Sequence, residues 1–120
     1  VLSVWLPVAI YIALIFTLSS IPNLTPPGHV PNSDKVAHFL EYGTLGWLLS
    51  RAWHRTWGRR AVAVVVGVVC VGGLTAAADE LYQGTVAGRQ QSLADWLTDL
   101  IGLLTALALA AWWRRRRGRA

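Results

Sequence analysis

The sequence has no methionine and a single cysteine, and only 14% of its 120 residues are charged. One thiol, Cys70, excludes an intrachain disulfide, and its apolar surroundings make it a packing residue. The missing methionine fits a native N-terminus that was processed or lies outside this sequence. So low a charged fraction argues against an ordinary soluble domain, in which roughly a quarter of residues are charged. Residues 1–20 carry no charge at all, and no compact metal signature of the H-E-x-x-H kind occurs anywhere. The net charge of +5 does not point to nucleic acid, because the basic residues stand beside apolar runs. No nucleic-acid partner is expected.

What is present is 54% hydrophobic residues, gathered into four runs. Residues 1–20 are long enough to cross a bilayer. A cleaved signal peptide would begin with a basic leader, which this segment lacks. Residues 21–32 form a connection stiffened by Pro22, Pro26, Pro27 and Pro31. Ser33 is placed to cap a second helix with Asp34 in its first turn. That helix, 34–53, is the least apolar of the four. Steps of three and four place Asp34, His38, Glu41, Tyr42 and Leu45 on one face, with Val36, Leu40 and Trp47 opposite.

Arg51, His54, Arg55, Arg59 and Arg60 then form a basic loop. In the third run, 61–83, Gly72 and Ala76 lead along one face to Asp79 and Gln83, and small residues let helix backbones approach closely. Gly84 and Gly88 break the chain into a turn over 84–91. The fourth run, 92–113, carries Ser92, Asp95, Asp99, Gly102 and Ala106 on one stripe. The expected fold is therefore all-α: one transmembrane domain over 1–120, a four-helix antiparallel bundle with spans near 1–20, 34–53, 61–83 and 92–113.

Sidedness follows from the basic residues. Nine of the eleven lie in the loop after the second span or in the C-terminal tail, and only Lys35 and Arg89 lie elsewhere. Short basic segments stay cytoplasmic, so both chain ends are expected inside. The terminal arginines would then meet anionic membrane lipid. Trp53, Trp57, Trp112 and Trp113 would form an inner aromatic belt. All six carboxylates (Asp34, Glu41, Asp79, Glu80, Asp95, Asp99) fall in the outer halves of the spans, as a polar cavity opening to the extracytoplasmic side.

Intramembrane ionisable residues are costly and mark functional sites by default. The catalytic candidates are His38, Glu41, Asp79 and Glu80, which could share proton transfer or hold a divalent metal such as Zn²⁺ or Mn²⁺. Lys35, Gln83, Arg89, Ser92 and Asp95 are candidates for ligand binding, Arg89 being suited to an anionic group. Asp34, Tyr42 and Asp99 stand beside them without an assigned part. Each residue also has a plainer reading. Arg89 can tie two helix ends, Asp34 and Ser92 can be caps, and Gln83 can be an interhelix hydrogen bond.

Three motifs carry a resemblance: Ser33-Asp34-Lys35-x-x-His38-Phe39-x-x-Tyr42, Asp79-Glu80-x-x-Gln83, and Gly88-Arg89-x-x-Ser92-x-x-Asp95 followed by Gly102. In this order they resemble the VanZ-like membrane protein family. Asp99 departs from that pattern, where Asn is more usual, and adds a potential negative charge. The family takes its name from a protein linked to teicoplanin resistance. The resemblance implies a multi-pass protein of the bacterial plasma membrane with an envelope role, and a lipid-linked or glycopeptide-type ligand. Whether that ligand is modified stays open beside two alternatives: an accessory protein that alters antibiotic access to the outer leaflet, and a small transporter.

Overall fold

The computed structural model describes residues 1–22, 33–58 and 60–119. It contains four helices: α1 (Leu2–Ser19), α2 (Ser33–Trp57), α3 (Ala61–Gln83) and α4 (Leu93–Gly118). Among the described residues there is no strand. Most of the proline-rich connection over 21–32 lies outside the described residues, as does Arg59.

Two boundaries differ from expectation. Helix α2 runs past 53 to Trp57, so Arg51, His54 and Arg55 ride on a helix and not in a loop. The link to α3 shrinks to residues 58–60, where Gly58 takes a φ of 79° that a side chain would resist. Likewise α4 continues through the arginines, whose charge suits the negative end of the helix dipole. Arg116 and Arg117 lie over the rings of Trp112 and Trp113, at 5.0 and 4.5 Å from the centroids. At its other end α4 is capped by Ser92, whose hydroxyl accepts from the Asp95 N–H at 3.2 Å.

Helix α2 packs against all three others, and its contact with α4 is the most extensive in the molecule. Helices α1 and α4 do not touch. Consecutive helices are antiparallel, which leaves α2 and α4 running the same way: Lys35 meets Asp95 near their starts, and Ser50 meets Arg114 near their ends. Their backbones come so close that a Cβ on Gly102 would stand 2.6 Å from the carbonyl oxygen of Phe39. Between α2 and α3, Gly67 makes room for the Trp53 ring, which would lie 2.2 Å from an added Cβ. Trp53 in turn meets Trp5 and Trp57 at centroid distances of 5.5 and 4.7 Å, and the Trp5 indole donates to Thr56 Oγ1 at 2.8 Å. This aromatic cluster pins the start of α1 to the end of α2.

The side-chain distribution is that of a protein dissolved in lipid. Leu6, Ile10, Leu74, Ile101 and Leu104 are exposed, whereas His38, Asp79, Glu80, Gln83, Asp95 and Asp99 are buried. In water such an outer surface would be an oversized apolar patch. Helices α1, α3 and α4 are each long and apolar enough to cross a membrane by length and composition. Helix α2 does not qualify alone, since it carries Asp34, Lys35, Glu41, Arg51 and Arg55. Its His38 and Tyr42 are instead covered by its three neighbours, while Val36 and Leu40 face outward. The long axis of the molecule is 48 Å, enough to exceed a hydrocarbon core of about 30 Å and reach the headgroups at both ends.

Candidate functional site

The six carboxylates gather at one end of the bundle, and five of them, all but Glu41, fall into two separate knots. The division begins between adjacent residues. Asp79 and Glu80 are about 100° apart around α3, so one turns toward α1 and α2 and the other toward α2 and α4.

The first knot is centred on Asp79, which is 1% exposed. Its Oδ1 accepts from the Ser19 hydroxyl at the end of α1. Its Oδ2 accepts from the Tyr42 hydroxyl at 2.9 Å and from Gln83 Nε2 at 3.5 Å. Gln83 also donates to Ser19 Oγ at 3.2 Å. Each carboxyl oxygen thus has a donor, and the three elements α1, α2 and α3 are joined through one buried side chain. A satisfied network of this kind fixes geometry. Ser19 is the member that sequence reasoning missed, because a serine closing an apolar run carries no signal of a partner sixty residues away.

The second knot joins α2, α3 and α4. His38 Nδ1 lies 2.8 Å from Asp99 Oδ1. An ionised carboxylate can only accept, so beside it this ring nitrogen is the donor, and in the neutral imidazole Nε2 keeps the free lone pair. That nitrogen faces Asp95 Oδ2 at 3.7 Å, and Glu80 Oε1 lies 3.9 Å from Nδ1. Lys35 Nζ donates to Asp95 Oδ1 and, at 3.1 Å, to the exposed Asp34. Glu80 Oε2 accepts from the backbone N–H of Ser92 at 3.1 Å, so the cap of α4 and the end of α3 are linked. Two buried oxygens, Glu80 Oε1 and Asp99 Oδ2, have no hydrogen-bond partner. Asp99, unassigned from sequence, is the direct partner of His38.

Two candidates stand apart from both knots. Glu41 is half-buried on α2, and its side chain makes no hydrogen bond or ion pair with the described residues; its backbone oxygen accepts from Tyr11 at 2.9 Å. Arg89 donates to the carbonyl oxygens of Leu18 at 2.8 Å and Ile21 at 3.1 Å. It therefore sits at the open C-terminal end of α1, where a cation is favoured.

Two cavities are lined by residues outside the knots. A groove of about 350 Å³ between α2 and α4 is walled by Phe39, Gly43, Trp47, Gly102, Ala106 and Leu109, and is almost wholly apolar. It starts beside His38 and Asp99, since Phe39 follows the one and Gly102 is one turn from the other. At the opposite end a basin of about 860 Å³ is rimmed by arginines, among them Arg51, Arg55, Arg114 and Arg117, over a floor that includes Trp47 and Val64. Among the described residues no Asp or Glu lies at that end to neutralise them.

A family model described as VanZ/LLP1 matches residues 4–114, which takes in all four helices and both knots. No curated protein and no solved structure matches the chain.

Proposed function

The chain belongs to the VanZ/LLP1 family, and from that premise we propose that it is a multi-pass protein of the bacterial plasma membrane with both ends in the cytoplasm. Its carboxylate end faces outward, binds a lipid-linked or glycopeptide-type envelope ligand and acts on it, contributing to glycopeptide resistance. The observation that carries this reading is the second knot. An imidazole, three acids and an ammonium from three helices converge at one end of the bundle, where simple helix pairing needs no such charges. Lys35 is the group suited to hold an anionic part of the ligand. The apolar groove that begins at Phe39 and Gly102 offers a bed for an acyl chain, which supports a lipid-linked ligand in particular. At the arginine end, anionic lipid headgroups are the natural counter-ions for the basin.

A carrier is disfavoured by the other half of the bundle. Among its described buried residues Leu49, Ala52, Val64, Val68 and Leu107 are apolar, and Ser50 is engaged by Arg114 at 3.1 Å. No chain of polar groups continues the path. The test is teicoplanin susceptibility in a sensitive bacterium expressing the chain, His38→Ala or Glu80→Gln, at matched levels in the membrane fraction. The wild-type chain should raise the inhibitory concentration several-fold and neither variant should. Equal protection by all three, or none by the wild type, sinks the proposal.

A further inference from the structure

The second knot is short of a cation. Glu80, Asp95 and Asp99 are 4%, 8% and 0% exposed, and Lys35 is the one cationic side chain besides His38 within ion-pair distance among the described residues. With all three carboxylates ionised, even a protonated His38 beside Lys35 leaves one negative charge unmatched. The two orphaned oxygens belong to this cluster, and a buried acceptor without a donor is costly, more so when it is charged. Across 3.7 Å the Nε2 lone pair of His38 faces Asp95 Oδ2, too far for a direct hydrogen bond. In the neutral imidazole two lone pairs so placed repel, and either a proton on Nε2 or a cation between them relieves it.

The spacing suits an ion. One ring nitrogen of His38 and one oxygen each of Glu80 and Asp95 lie within 4.8 Å of one another. Two ligand atoms each about 2.1 Å from a tetrahedral metal are about 3.4 Å apart. Each of the three residues is also held from behind by its other polar atom. His38 Nδ1 is fixed by Asp99, Glu80 Oε2 by the Ser92 N–H, and Asp95 Oδ1 by Lys35. That leaves Nε2, Oε1 and Oδ2 without a direct hydrogen bond, with Oε1 lying 3.9 Å from the ring at Nδ1 and Oδ2 3.7 Å from it at Nε2. Outer partners of this sort orient ligands in metal sites, the carboxylate–histidine pair above all.

We propose that His38, Glu80 and Asp95 bind one divalent transition-metal ion, Zn²⁺ by the donor set, with Asp99 as a positioning residue for His38. Three protein ligands leave a coordination position open, on the knot already assigned to the envelope ligand. The inference concerns that same site but needs no ligand for its test.

The experiment uses the whole chain, purified in detergent, freed of any histidine tag and stripped with a chelator. Zn²⁺ or Mn²⁺ is then added, and bound metal is measured after equilibrium dialysis. The wild-type chain should retain one equivalent of ion, and its thermal unfolding midpoint should rise when the ion is restored. Glu80→Gln and Asp95→Asn should hold background metal while keeping wild-type helix content. Asp99→Asn should keep the stoichiometry and weaken affinity about 10–100-fold. A wild-type chain that takes up neither ion and shows no midpoint shift overturns the proposal, as does uptake indifferent to the Glu80 and Asp95 substitutions. A chain that binds the ion without protecting cells loses only the functional reading, and one that protects without binding loses only this one.

Discussion

The close approach of α2 and α4 holds the second knot together, and Gly102→Ala tests it directly. The new methyl would stand 2.6 Å from the carbonyl oxygen of Phe39 and 3.0 Å from the amide nitrogen of Gly43, both backbone atoms that cannot swing aside. To restore a contact of about 3.4 Å the helices must part by about 0.8 Å. Overpacking of this kind costs about 1–3 kcal/mol, against a helix-propensity gain of about 1 kcal/mol for alanine over glycine. Gly73→Ala is the matched control, because its methyl would meet only Leu100 Cδ2 at 3.4 Å. It keeps the propensity gain without the clash. The two variants should therefore differ by about 1–3 kcal/mol, with Gly102→Ala the less stable. Reversible unfolding in mixed micelles, followed by circular dichroism, measures the difference. A parting of about 0.8 Å would also stretch the 2.8 Å His38–Asp99 hydrogen bond past the usual range, so metal uptake should weaken in Gly102→Ala alone. If Gly102→Ala proves as stable as Gly73→Ala, α2 and α4 do not approach as described and the reasoning fails.

Tyr42→Phe leaves Asp79 Oδ2 with Gln83 alone, at 3.5 Å, and should cost about 1–3 kcal/mol because a buried acceptor loses its close donor; a cost within error of zero would deny Asp79 its place in the first knot. Ser19→Ala acts on the other oxygen of the same carboxylate, so a double-mutant cycle with Tyr42→Phe should show coupling of about 0.5 kcal/mol or more, and strict additivity would contradict a shared partner. For orientation, in a Cys70→Ala background, Thr85→Cys should react with a membrane-impermeant thiol reagent on intact cells and Gly118→Cys only after permeabilisation. The opposite pattern would invert the topology and bury the proposed ligand site on the cytoplasmic side.

The helices were legible because a helix is a local object. Apolar run length and Gly84 mark the ends of α3, and the cap at Ser92 marks the start of α4, whereas its end, expected at 113, lies at Gly118. Of the stripe Asp34, His38, Glu41, Tyr42 and Leu45, the residues His38, Tyr42 and Leu45 do face inward, but Glu41 is half-buried and Asp34 exposed, with Val36, Leu40 and Trp47 outward as expected. The basic loop misled only in extent, since Arg51, His54 and Arg55 suit the last turns of a helix as well as they suit a loop.

Which residues meet across the bundle was a different matter. Spacing fixes the face a side chain occupies but not the neighbour that face receives, which depends on helix rotation, order and separation. So the sequence alone determined the four helices, the family motifs and the segregation of acids from bases, all carried by nearest neighbours along the chain. Only the tertiary structure decided that Asp79 and Glu80 belong to different knots, that Ser19 completes one and Asp99 the other, and that Arg89 closes α1. Those pairings follow from α2 and α4 lying backbone to backbone over Gly102 while α1 and α4 stay apart, an outcome of packing in three dimensions that no one-dimensional period contains.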